Sequence, residues 1–330
     1  MFARFTDWQN AFAHPVTLWA TLLVASILTL APVAIFILGK LGKLDEKHRT
    51  ELRARYLSWL VMAPILLLPI LLGPGWTILG VLLLSIACYR EFARATGVFR
   101  HRLISFVVVC GILLVNFAAF DHWYEFFVAL FPLVTALIAC VGILADQPKG
   151  YVQRVALGTF GFMLFGCAMG HLAYFANDTH YRAILILIIV AVELNDVFAY
   201  IVGKSIGGPK LSPNTSPGKS IAGSLGAVVL TTTLAATLAH FVFQNTPLDM
   251  PLRLIVLGLI ISVVGQLGDL MLSSIKRDIG VKDLGTIIPG HGGLLDRFDS
   301  IILVAPAVFH YVGYFVGIGN DQPQRIITGG

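Results

Sequence analysis

Apolar residues run through this chain in ten long stretches, parted by short segments where charge, glycine and proline collect. A helix crosses the hydrocarbon core of a bilayer with about 20 apolar residues, in a range of roughly 17–25. The stretches near 18–38, 56–73, 75–89, 103–119, 124–145, 155–176, 183–203, 221–243, 252–275 and 300–318 meet or approach that length. They predict an all-α, polytopic integral membrane protein with about ten transmembrane helices. The second and third are separated only by Gly73-Pro74-Gly75, a turn signal that predicts a tight helical hairpin rather than one long span. The first stretch exceeds twenty residues and is not followed by a clear small-residue cleavage site, so it reads as a retained helix.

Composition and charge turn this pattern into a topology. Hydrophobic residues make up 57% of the 330 positions and charged residues 12%, against about 25% charged in ordinary soluble domains. That excludes a soluble enzyme, a disordered chain and a disulfide-stapled secreted module. Cys88, Cys110, Cys140 and Cys167 stand singly in apolar stretches, without the paired spacing of a zinc or redox site. A net charge of +5 would suit nucleic acid, but the 23 Lys and Arg residues fall in loops, where they orient membrane proteins. With the amino terminus outside, 19 of them lie in inner loops, and only Arg4, Arg182, Arg253 and Arg325 lie outside. No loop violates the alternation. Both termini are therefore expected outside, and the short loops fit a bacterial inner membrane with a cytoplasmic inner face.

The two halves differ in chemistry. Residues 1–182 carry few ionisable groups within their spans and read as scaffold with a basic collar; their apolar surface offers contact area for a homodimer. Residues 183–330 bring acids, lysines, glycine and proline together, with inner loops at 204–220 and 276–299 facing the same side. Ionisable groups at membrane depth are costly and by default mark function. Glu193 and Asp196, and likewise Gln266 and Asp269, stand three residues apart on one helix face. Gln266 and Asn116 read as buried polar contacts between helices. Asp196 and Asp269, close to basic inner loops, read as functional.

The first of these loops carries Gly203-Lys204 at its start and Ser216-Pro217-Gly218-Lys219-Ser220 at its end, with Lys210 between. It is not a P-loop, because the first glycine is missing and no strand precedes either Gly-Lys-Ser. Ser220 near the start of the eighth helix and the three lysines still suit phosphate; an ordinary basic loop is the other reading. The second loop alternates acids and bases around glycine: Ser273-Ser274-Ile275-Lys276-Arg277, Lys282-Asp283, Pro289-Gly290-His291-Gly292-Gly293, then Asp296-Arg297 and Asp299. Carboxylates take magnesium through oxygen while lysine and arginine neutralise phosphate, so this composition suits a polyphosphate with its metal.

The stretch from Ser273 to Asp299 resembles the signature of phosphatidate cytidylyltransferases, also called CDP-diacylglycerol synthases. Asn195-Asp196, Gly203-Lys204 and the run 216–220 are similar to a second, looser block of that family. Ile221 and Ala222 depart from it, standing where the family often has an aromatic residue and an acid or amide. The resemblance spans roughly residues 193–299. It implies transfer of the cytidylyl group of CTP to phosphatidate or a related anionic phosphate lipid, with Mg2+ as cofactor and no nucleic acid as partner. It implies Asp269 as principal metal ligand, joined by Asp196 and Asp283. Lys276, Arg277 and Lys282 would hold the triphosphate, and His291 would orient a phosphate oxygen or act as a structural donor. Asp296, Arg297 and Asp299 would fix the loop, with Arg297 and Asp299 also able to reach substrate. Asn195, Lys204, Lys210, Ser216, Lys219, Ser220, Gly292 and Gly293 complete the substrate-binding set. Two rival readings are an ion- or proton-coupled transporter using Glu193, Asp196 and Asp269, and a non-catalytic scaffold. Neither gives the Lys-Arg, Lys-Asp and His-Gly-Gly pattern a task.

Overall fold

The computed structural model describes residues 4–41, 45–285 and 293–329. Its described residues form ten helices long and apolar enough to cross a membrane. These are α1 (Pro15–Lys40), α2 (Glu46–Leu72), α3 (Pro74–Thr96), α4 (Arg102–Asp121), α5 (Tyr124–Ile143), α6 (Tyr151–Phe175), α7 (Tyr181–Ile206), α8 (Ile221–Val242), α9 (Pro251–Asp278) and α10 (Leu295–Val316). Each predicted stretch becomes one helix. The break at 73–75 is real: Gly73, at φ 150°, stands before Pro74, whose ring sets the first helical φ and lacks the N–H a first turn cannot use.

Helices α7, α8, α9 and α10 pack successively against one another, and α10 also touches α3 and α6. Small residues set the closest approach. A Cβ on Gly223 would meet the Ala199 carbonyl oxygen at 2.5 Å and the Gly203 Cα at 2.9 Å, so α7 and α8 cross almost backbone to backbone. A Cβ on Gly268 would lie 2.7 Å from the Asp299 carbonyl oxygen, so α9 and α10 close in the same way. That second crossing sets Asp269 beside Asp299.

The two loops expected on the inner side begin later than the apolar pattern suggests. Helix α7 runs on to Ile206 and ends at Gly207, whose φ of 70° favours glycine; α9 runs through Lys276 and Arg277 to Asp278, before Gly280 at φ 72°. The first loop also contains strands the sequence did not suggest. β1 (Lys210–Ser212) pairs antiparallel with β2 (Ser216–Ser220), with Lys210 opposite Ser220 and Ser212 opposite Ser216. Pro213, Asn214 and Thr215 make the turn. These are the only strands among the described residues.

At the opposite end the chain termini are tied down. Arg4 donates to the Phe120 carbonyl (2.8 Å), Arg182 pairs with Asp7 (2.9 Å), and Asp121 accepts from the backbone of Ile327 and Thr328.

Candidate active site

The site is built on the ends of α7, α9 and α10 and on the β-hairpin. On α9, Asp269 pairs through Oδ2 with the Lys219 ammonium of β2 and accepts the Ser273 hydroxyl through Oδ1 at 3.2 Å. Lys219 also acts electrostatically on Asp196 of α7. Asp196, Asp269 and Lys276 act in turn on Asp299 of α10, and Arg297 acts on both Asp196 and Glu193. Four carboxylates and three cations therefore share one electrostatic environment. Asp299 is buried and accepts the backbone N–H of Ser300 at 2.8 Å, whereas Asp196 is exposed. The cluster thus runs from an exposed acid, Asp196, to a buried one, Asp299.

Two further contacts brace it. Arg277 donates from Nε to the Thr215 carbonyl at 3.3 Å, fastening the hairpin turn to α9. Lys276 pairs with Asp296 Oδ1 at 2.9 Å, with side chains only 11% and 4% exposed. The other Asp296 oxygen accepts the backbone N–H groups of Leu284 (3.0 Å) and Gly293 (2.9 Å). Asp296 thereby joins α9, the segment after it and the start of α10.

The remaining expected residues are distributed unevenly. Ser220 is the N-cap of α8, its hydroxyl accepting the Gly223 N–H at 3.1 Å. Ser216 lies in β2 opposite Ser212, Lys210 is exposed at the start of β1, and Lys204 lies 5.7 Å from the centre of the Tyr200 ring. Lys282 and Asp283 are exposed beyond α9; no described hydrogen bond or ion pair joins either to Asp196 or Asp269. Gly293 contacts Asp296, while His291 and Gly292 lie outside the described residues.

Asn195 is buried between helices. Its Oδ1 accepts the Thr231 hydroxyl (2.9 Å) and the Ser262 hydroxyl (2.7 Å), joining α7, α8 and α9. Asn195→Ala would leave both buried hydroxyls without that acceptor, at a cost of about 1–2 kcal/mol, read as a lowered unfolding temperature in detergent. Gln266 similarly ties α9 to Ser224 of α8. Asn116 differs from expectation: it donates to the Ile112 carbonyl one turn back in its own helix and links no neighbour through that bond.

Sequence reasoning missed Glu91. It lies near the inner end of α3, 5% exposed, and accepts the backbone N–H groups of Leu294 (3.0 Å) and Leu295 (2.8 Å) at the start of α10. The third apolar stretch was expected to end at 89, which placed Glu91 in a basic loop beside Arg90 and Arg94. The available signal was an acid within one turn of the predicted span end, where burial makes charge costly.

Among the described residues no three His, Cys, Asp or Glu side chains converge tightly enough to cage an ion. Mg2+ is commonly held by one or two carboxylates with substrate phosphates and water supplying the rest. Asp196 and Asp269 fit that mode, flanked by cations for the phosphates.

The chain is similar to known proteins over most of its length. The chain is 32% identical over 305 residues to an uncharacterised protein, YnbB, of Escherichia coli, covering 90% of this chain and 97% of that one. It is 31% identical over 277 residues to a phosphatidate cytidylyltransferase of Bacillus subtilis, covering 80% and 99%. It is 32% identical over 213 residues to one from Rickettsia bellii, covering 63% and 90%. The model of the cytidylyltransferase family matches residues 53–315. That match takes in α3 and its Glu91 as well as the acidic recess. This polytopic membrane enzyme belongs to the cytidylyltransferase family.

Proposed function

We propose that the enzyme transfers the cytidylyl group of CTP to phosphatidate at the cytoplasmic face of a bacterial inner membrane, giving CDP-diacylglycerol and pyrophosphate. The observation that carries this reading is the convergence of Asp196, Asp269 and Asp299 with Lys219, Lys276 and Arg297 at the basic-loop end of the helices. A phosphate oxygen of the lipid forms the new bond to the CTP α-phosphorus, and the bond from that phosphorus to the β-phosphate bridging oxygen breaks. The lipid phosphate is already anionic, so no strong base is needed; charge neutralisation and alignment are.

Asp196 and Asp269 would hold Mg2+, which when bound would supply charge neutralisation at the phosphate oxygens. Lys219 offers a flexible point charge that leaves Asp269 for a phosphate oxygen once nucleotide enters. Lys276, oriented by Asp296, faces the β- and γ-phosphates that depart as pyrophosphate, with Arg277 beside it. Arg297 answers the lipid phosphate near Glu193 and Asp196. The exposed side of the recess admits nucleotide from water while the acyl chains stay in the bilayer.

The test offers purified protein, CTP and Mg2+ a panel of phosphatidate, an ether-linked analogue and a polyprenyl phosphate, with products identified by mass spectrometry. The reading predicts CDP-diacylglycerol from phosphatidate as the main product. A cytidylylated product from polyprenyl phosphate alone would overturn the acceptor. Stabilisation against heat by CTP with Mg2+ separates a nucleotide enzyme from a transporter or a scaffold, which predict none.

A further inference from the structure

We infer that Glu91 is a positioning residue for turnover, through which the amino-terminal half of the chain sets the alignment of α10 in the active site. This rests on the proposed cytidylyl transfer for its kinetic consequence, but its geometry stands alone. The first N–H groups of a helix have no partner within the helix. At the start of α10 two of them, from Leu294 and Leu295, are taken by the two Glu91 oxygens at 3.0 and 2.8 Å. The charge also complements the positive end of the helix dipole. The cap comes from a helix about 200 residues away in sequence, since Leu294 and Glu91 are 203 positions apart.

The surroundings are shaped around that carboxylate. A Cβ on Gly293 would lie 2.7 Å from Glu91 Oε2 and 2.9 Å from Asp296 Oδ2, and a Cβ on Gly285 would collide with Glu91 Oε1. Glycine at both positions is what lets the backbone close onto the acid. Gly293 and Leu284 meanwhile donate to Asp296, which holds Lys276. Glu91 and Asp296 therefore clamp the same short stretch from opposite sides. The turn they fix carries Asp296, Arg297 and Asp299.

Displacing that turn should damage alignment in the transition state more than ground-state binding of the triphosphate, because Lys219 on the hairpin and Lys276 and Arg277 on α9 lie outside it. Glu91→Gln keeps the size but puts an amide N–H against a backbone N–H. Its expected effect is a kcat lowered about 10- to 100-fold, the scale of a small misplacement in an active site, with KM for CTP changed by less than about 3-fold. Hydrogen exchange of the peptide covering 294–300 should accelerate, while the unfolding temperature stays near that of the unmodified protein. Glu91→Asp, which keeps the charge but retreats by one methylene, should recover part of the lost kcat. Gly293→Ala attacks the clamp from the other side and should reproduce the exchange phenotype.

Unchanged kcat in Glu91→Gln would overturn the proposal, as would a loss accounted for wholly by global unfolding. Unchanged exchange at 294–300 in both Glu91→Gln and Gly293→Ala would overturn it too. If the unmodified protein forms no cytidylylated lipid, the proposed function fails; the exchange measurement then still decides whether Glu91 holds α10.

Discussion

Asp269→Asn lowers the rate of CDP-lipid formation by about 100- to 1000-fold, the scale seen when one preorganised charge-stabilising group is removed from a site. The reasoning is local. Asp269 is the acid that meets the hairpin lysine, accepts the Ser273 hydroxyl and faces Asp299 across the α9–α10 crossing. The amide keeps the shape but offers no negative charge to a divalent ion, and it removes the carboxylate that Lys219 pairs with directly. Initial rates at saturating CTP and Mg2+ measure the effect, with the unfolding temperature as a control. Activity equal to the unmodified protein would remove Asp269 from the mechanism and, with it, the reason for placing nucleotide in this recess.

Lys276→Met destabilises the protein by about 3 kcal/mol, the low end of the cost of stranding one member of a buried ion pair. The low end applies because Asp296 keeps its two backbone N–H donors after the lysine is gone. With side chains 11% and 4% exposed, the pair has little water to compensate for a lost partner. Adding Asp296→Asn to Lys276→Met should restore much of that stability, because the stranded charge disappears, while activity stays lost. Denaturant titration of the two single variants and the double variant in detergent gives the coupling; strict additivity would show that the two side chains do not act as a pair.

Most of the fold was legible because the bilayer imposes a length on every span. Ten apolar stretches became ten helices, and even the short break at Gly73-Pro74-Gly75 behaves as glycine and proline chemistry requires. Helix ends were less legible. The inner ends of α7 and α9 continue past their apolar residues into lysine and arginine, which a hydropathy pattern reads as loop but a helix accepts readily near its negative end. The hairpin at 210–220 was hidden for a different reason. Its strands are short, rich in glycine, proline and serine, and fastened by Arg277 and Lys219 to a helix distant in sequence.

The site divides along the same line. The sequence singles out Asp196, Asp269, Lys219, Lys276, Asp296 and Asp299 as candidates because charge at membrane depth is rare and their motif is dense. The structure adds how they meet: Gly268 allows the close approach of α9 to α10 that brings Asp269 near Asp299, and no spacing rule along one chain encodes a crossing of two helices. Glu91 escaped because its partners are backbone N–H groups, which leave no trace in the identity of Leu294 or Leu295. The division at 182 into scaffold and catalytic region describes where the motifs lie, yet one carboxylate of the first region reaches the first turn of α10.

The most direct test follows the phosphorus atoms. Purified protein with Mg2+ and phosphatidate is given CTP labelled either at the α- or at the γ-phosphate, and the organic and aqueous phases are counted. The account predicts α-label in the lipid and γ-label in water as pyrophosphate, in equal amounts. Label moving to lipid from the γ-position, or no label entering lipid from either, would contradict it.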